Sequence, residues 1–225
     1  MSWLTETLTS TPGRKVIMAA TGIFLILFLA VHLTGNLQLL KDDNGESFNI
    51  YAEFMSTNPL IQFVSKGNFF FILLHVVVSV FLTRKNQQAR PVAYKVPVKS
   101  GTSSLSSRNM GILGTVILVF LIIHLKGFWY EMHYGEIPYK NYDGHEARDL
   151  YAVVDAAYSQ WYWVLIYVVS MLAVAFHLSH GFQSAFQTLG MSHVKYSPAI
   201  KLLGIAFSIL VPAGFAVIPI VMFFN

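Results

Sequence analysis

The sequence predicts an all-α membrane protein: five transmembrane helices in a bundle, N-terminus cytoplasmic and C-terminus outside, with short interfacial helices in the outer loops. Three observations predict it. Apolar runs near the ~20 residues needed to cross a ~30 Å hydrocarbon core recur along the chain. Charged residues make up 12% of 225 positions, against about 25% in a typical soluble domain. Lys and Arg also fall unequally on the two sets of alternate loops, which orients the spans.

The first span covers about 16–40; its apolar run is too long for a cleavable signal peptide, Glu6 sits in the leader, and no small-residue cleavage site follows. The second covers about 61–83, with Ile61 to Val64 extending a shorter apolar stretch. The third and fourth cover about 110–129 and 161–185, and the fifth about 202–224, where Pro212 and Pro219 are expected to kink it. Together they form a single domain, 1–225. With the N-terminus inside, the inner side carries Arg14, Lys15, Arg84, Lys85, Arg90, Lys95, Lys99, Arg108, Lys195 and Lys201. The outer side carries Lys41, Lys66, Lys126, Lys140 and Arg148, together with every acid except Glu6.

Of the connecting segments, "SFNIYAEFMSTNPLIQFV" and "HEARDLYAVVDAAYSQWYW" show the three-and-four apolar spacing of helices lying at the interface. "DGHE" resembles a capping box with Asp143 as the cap. Trp129, Tyr130, Trp161, Tyr162 and Trp163 suit an outer aromatic belt. The basic inner loop 84–109 is not expected to fold alone. The net charge of +4 does not point to nucleic acid, because the basic residues are distributed by loop. The absence of cysteine excludes disulfides, iron–sulfur ligation, thiolate metal sites and covalent haem attachment.

Histidine carries the chemistry. His133, His145 and His193 fall in loops and read as solvated side chains. His32, His75, His124, His177 and His180 fall within the first four spans, where an ionisable residue is costly and points to function. At 1.5 Å per residue, His32 lies about 25 Å from Lys15, and His124 about 24 Å from Arg108. His75 lies about 13 Å from Arg84, and His177 about 15 Å from Gln187. Because the spans alternate in direction, His32 and His124 share an outer level, and His75 and His177 an inner one. Two levels of two imidazoles suit two bis-histidine haems, non-covalent and hence b-type; zinc wants three or four converging ligands. A weak repeat aligns "GIFLILFLAVHLTG" with "GTVILVFLIIHLKG". It places Gly22 and Gly114 near the inner level, where a missing side chain would admit a porphyrin edge or close helix packing. His177 matches His75 in depth better than His180, which lies about 4.5 Å nearer the inner surface. His180 is left to bond a propionate, orient a ligand or line a quinone pocket.

With one buried histidine on each of the first four of five spans, the chain resembles the diheme cytochrome b membrane anchor of succinate:quinone oxidoreductase and fumarate reductase. The likeness covers nearly the whole chain and rests on "TGIFLILFLAVHLTGN", "SSRNMGILGTVILVFLIIHLKGFW" and "FHLSHGF". In that family a glycine follows the fourth-span ligand by four residues, as Gly181 follows His177. The resemblance implies that His75 and His177 hold an inner, proximal haem, and His32 and His124 an outer, distal one. It further implies an iron–sulfur subunit and a flavoprotein subunit on the cytoplasmic face, where succinate or fumarate chemistry takes place. Arg14, Lys15 and Arg108 would contact that subunit or the propionates. Electrons would exchange with membrane menaquinone, or another quinone, in a bacterial cytoplasmic membrane. The quinone site would lie toward the distal haem, with Glu53 as a proton-handling candidate and Trp129 as a stacking one. A homodimer of such complexes stays open. So do two other readings: the diheme cytochrome b of a formate dehydrogenase or hydrogenase, and a proton or metal transporter with intramembrane histidines.

Overall fold

The computed structural model describes residues 2–89 and 105–225. The expectation for the basic inner loop bears on residues 90–104, which lie outside the described residues. The chain opens with a short helix α1 (Trp3–Thr9) that ends at Ser10. Ser10 is extended and caps α2 (Thr11–Asn36): its Oγ accepts from the Gly13 amide at 3.1 Å. Pro12 falls in the first turn, where no backbone donor is needed. The first long helix therefore begins at Thr11 rather than 16, because hydropathy marks the lipid-facing stretch while caps mark the helix end. A 3-10 turn, Leu37–Leu40, completes it.

Asp43 turns the chain into α3 (Glu46–Thr57), its carboxylate accepting from the Gly45 and Ser47 amides at 3.1 Å each. Asn58 then ends α3 and caps α4 (Pro59–Gln88), accepting from Leu60 and Ile61 at 3.0 and 3.2 Å. The pair Asn58–Pro59 is a stop and a start in two residues. Beyond α5 (Leu105–Arg108), α6 (Met110–His124) widens directly after its last residue into a π-helical stretch, Leu125–Tyr130. It closes in α7 (Glu131–Tyr134).

Two expectations are corrected next. The chain is not wholly helical: β1 (Tyr139–Tyr142) and β2 (His145–Arg148) form an antiparallel hairpin, with Tyr142 opposite His145. "DGHE" is its turn rather than a capping box. Asp143 and Gly144 have φ of 49° and 95°, the left-handed pair that a two-residue hairpin loop demands and Asp-Gly supplies. The cap belongs to Asp149, which starts α8 (Leu150–Tyr158) by accepting from the Ala152 amide at 3.3 Å. The last long helices are α9 (Trp161–Thr188) and α10 (Ser197–Phe224), the latter running unbroken through Pro212 and Pro219.

Among the described residues, five helices are long and apolar enough to cross a membrane: Thr11–Leu40, Pro59–Gln88, Met110–Tyr134, Trp161–Thr188 and Ser197–Phe224. Their outer surfaces present Leu27, Leu73, Ile112, Leu172 and Leu210, each more than half exposed. Hydrocarbon is the solvent that suits such a surface. The centre of the bundle is α9, which packs on α10, α2 and α6 and buries Tyr167, Met171, Val174, Leu178 and Phe182. Helix α4 packs chiefly on α2, and α6 buries no residue between Met110 and His124.

A polar knot joins α3, the hairpin and α8. Asn49, fully buried, donates to the Tyr142 hydroxyl at 2.7 Å and to Asp149 at 2.8 Å, and accepts from the Tyr151 amide at 2.8 Å. Lys140 pairs with Asp149 at 2.9 Å. Burial opposes ionisation of Asp149, but hydrogen bonds from Lys140, Asn49 and the Ala152 amide outweigh it and hold the carboxyl below its ordinary 3.8. Replacing Asn49 with Ala removes three hydrogen bonds from a fully buried position and is expected to cost roughly 1–3 kcal/mol, read from thermal unfolding in detergent. A carboxyl depressed in the folded state stabilises above its unfolded pKa and stops doing so as pH falls through the folded one. Hydrogen exchange over 139–151 is therefore expected to accelerate as pH drops below 3.8, after correction for intrinsic rates, and Asp149→Asn should abolish that dependence.

Candidate functional site

An imidazole in a hydrocarbon-facing helix needs a partner for each ring nitrogen, because no water is there to supply one. The long helices bring four histidines together as two pairs. In the pair expected at the outer level, His32 of α2 and His124 at the end of α6 meet with ring centroids 5.8 Å apart, edge to face at 86°. Aromatic rings surround them: Phe28 stacks on His32 at 5.1 Å, Phe215 lies 5.6 Å from it, and Phe120 and Phe128 flank His124 at 5.8 and 5.7 Å. In the inner pair, His75 of α4 and His177 of α9 stand 6.3 Å apart at 63°. A Cβ at Gly22 would lie 3.6 Å from His75 Cε1, which places Gly22 at the inner level.

Hydroxyl groups orient one ring in each pair. Thr21 donates to its own helix at Ile17 and Met18, 2.9 and 3.1 Å away, and lies 3.0 Å from His75 Nδ1. A hydroxyl has a single proton, so Thr21 accepts from His75, whose proton then sits on Nδ1 and whose Nε2 lone pair is left free. His124 Nδ1 lies 2.9 Å from the Tyr167 hydroxyl, and the Tyr167 ring packs against Tyr158 of α8 with centroids 5.2 Å apart. With His124 Nε2 given to an ion, the imidazole proton sits on Nδ1 and Tyr167 accepts it in the same way. The two remaining rings differ. His177 Nδ1 is buried without a hydrogen-bond partner. The Asn36 amide nitrogen approaches His32 Nδ1 at only 3.4 Å, already donating to the His32 carbonyl at 2.8 Å.

The spacing suits two imidazoles sharing one ion. A metal–nitrogen distance of about 2 Å, with each ring centre roughly 1.1 Å behind its nitrogen, sets trans centroids about 6 Å apart. Among the described residues, no three His, Cys, Asp or Glu side chains gather into a metal site. Any ion here would have two protein ligands and take the rest from elsewhere.

The other candidates have different surroundings. His180 stands beside His177 on α9, half-buried, while the ring contact of the inner pair runs between His75 and His177. Glu53 belongs to the cap that α3, the hairpin and α8 form at one end of the bundle: its Oε2 lies 3.5 Å from Arg148 Nε, and the Arg148 guanidinium also donates to the Met132 carbonyl. Trp129 stacks on His133 at 4.4 Å and meets Phe69 at 5.1 Å.

Sequence reasoning missed Thr21, Tyr167 and Tyr158. Their signal was an isolated hydroxyl in an apolar stretch, which Ser170 and Ser208 also give while bonding their own helix at Ile166 and Ile205. The repeat glycines divide by role. A Cβ at Gly35 would overlap the Tyr51 ring, and one at Gly127 would come within 2.9 Å of Trp163. Gly114 and Gly181 face open space to 4 Å, and Gly22 meets only His75. The first pair admits neighbouring rings; Gly22 lies beside His75, and Gly114 and Gly181 have no neighbour at that distance. No family model, curated protein or solved structure matches this chain.

Gly35→Ala and Gly127→Ala push a methyl group into an aromatic ring and are each expected to cost roughly 1–3 kcal/mol, read by detergent-phase thermal unfolding.

Proposed function

We propose that this chain is the two-haem cytochrome b membrane anchor of a succinate:quinone oxidoreductase, carrying electrons between a soluble iron–sulfur and flavoprotein pair and membrane menaquinone. The observation that carries the reading is the pairing of four imidazoles from four different helices, at centroid separations of 5.8 and 6.3 Å. An iron held by two imidazoles would need further ligands, which a porphyrin would bring with it. A chain without cysteine holds such a group non-covalently, as haem b. His75 and His177 would hold the inner haem, and His32 and His124 the outer one. Gly22, whose Cβ would meet only His75, and Gly181, with open space beside it four residues after His177, support room for a flat ring at the inner level.

Bound haem supplies reversible one-electron transfer, which none of these side chains provides. The protein contributes orientation and exclusion of water. Thr21 and Tyr167 keep a proton on Nδ1 of His75 and His124 and direct Nε2 away from it. Phe28, Phe120, Phe128 and Phe215 surround the outer pair with apolar rings, which exclude water and lower the local dielectric.

The inner side holds ten of the fifteen Lys and Arg residues, which supports a cytoplasmic N-terminus and partner subunits docked on that face. In that orientation α3, the hairpin and α8 lie outside, with α3 and α8 at the interface. An outer quinone site would make each electron cross the membrane potential, worth about 2.3 kcal/mol per charge per 100 mV. A formate dehydrogenase or hydrogenase cytochrome would instead bind its soluble subunits outside.

The purified complex is expected to contain two haems per chain and to carry flavoprotein and iron–sulfur subunits, counted by pyridine haemochrome and identified by mass spectrometry. Alanine at His32, His75, His124 or His177 is expected to remove one haem or block assembly, whereas His180→Ala keeps both. A colourless, properly assembled complex overturns the reading. Haem loss from His180→Ala with retention in His177→Ala reassigns the inner ligand.

A further inference from the structure

Each pair contains one imidazole anchored by a hydroxyl and one that is not. Thr21 and Tyr167 are both buried, 3% and 5% exposed, and come from different helices than the rings they hold. Thr21 reaches from α2 to His75 on α4, and Tyr167 from α9 to His124 on α6. Neither hydroxyl is a free rotor. Thr21 spends its proton on the carbonyls of Ile17 and Met18, and the Tyr167 ring is packed against Tyr158 at 5.2 Å. With Nε2 of each ring given to the haem, the imidazole proton stays on Nδ1, so each hydroxyl accepts. Across each pair the opposite ring has no such acceptor: His177 Nδ1 is buried and unpartnered, and Asn36 turns an amide donor toward His32.

Resting on the two-haem reading above, we infer that Thr21 and Tyr167 are positioning residues that set the reduction potentials of the two haems separately. The lever is ligand basicity. An imidazole whose N–H is held by an acceptor donates more strongly through its other nitrogen and favours the oxidised iron. Only one ring per iron is held in this way, so one hydroxyl governs one potential. The Tyr167 ring packs against Tyr158 of α8, so the outer lever is sensitive to the packing of that helix; the inner lever is confined to α2 and α4.

The test is a potentiometric titration of the purified complex, followed at the haem absorption bands, for wild type, Tyr167→Phe, Thr21→Val and Thr21→Ser. Tyr167→Phe keeps the ring and its packing, and Thr21→Val keeps the shape; each removes the acceptor. Both variants are expected to retain two haems. Each should raise one of the two midpoint potentials by up to roughly tenfold in the reduction equilibrium, about 59 mV for one electron, and leave the other unmoved. The step that moves must differ between the two variants, and Thr21→Ser must titrate like wild type. Selective loss of one haem, a different one in each variant, also supports the inference. Unshifted potentials, a shift of the same step by both variants, or loss of both haems from either one overturns it. Wild-type complex without haem defeats the parent reading instead, so the two failures are told apart.

Discussion

The structure depends on how imidazole is satisfied where water is absent. Each ring brings two nitrogens into a low-dielectric bundle, and leaving either bare costs on the order of 1–3 kcal/mol. The chain uses other helices: Thr21 on α2 serves α4, Tyr167 on α9 serves α6, and the rings face one another across the bundle. These requirements cross-link the first four long helices. The lipid-facing surface of α6 shows why cross-links matter, since that helix buries no residue over Met110–His124 and leans on α9.

At one end of the bundle the interactions change character. Asn49, Asp149, Lys140 and Tyr142 hold α3, the hairpin and α8 together with hydrogen bonds and an ion pair. Glu53 and Arg148 add a second connection, which reaches the Met132 carbonyl at the end of the third long helix. Tyr158 links this cap to the bundle: it belongs to α8, packs against Tyr167 at 5.2 Å, and through it touches the ring orientation of His124. Cap and outer histidine pair are one connected unit, and the π-helical stretch after His124 lies between them.

Much of this was legible in the residues. Apolar length identified five spans, and counting 1.5 Å per residue from the charged ends sorted four histidines into the pairs whose rings meet. Helix ends were less legible, because Ser10 and Asn58 lie outside the apolar runs that hydropathy detects. Asp143 was misread for a related reason. Aspartate serves both helix caps and hairpin turns, and Asp-Gly followed by alternating residues favours the hairpin. Gly35 and Gly114 look alike in a repeat, yet one receives the Tyr51 ring and the other faces open space.

What the sequence determined by itself is periodic and one-dimensional: span length, the depth of each histidine and the exclusion of thiolate chemistry. Those properties follow from rise per residue and composition, and neighbours do not alter them. The tertiary structure decided rotation and contact. It selected Thr21 and Tyr167 over Ser170 and Ser208, left His177 Nδ1 without a partner, and set Glu53 against Arg148. A hydroxyl on a helix reaches its own carbonyl or a neighbour's imidazole according to the angle at which two helices pack. That angle is a property of pairs of surfaces, absent from any single run of residues.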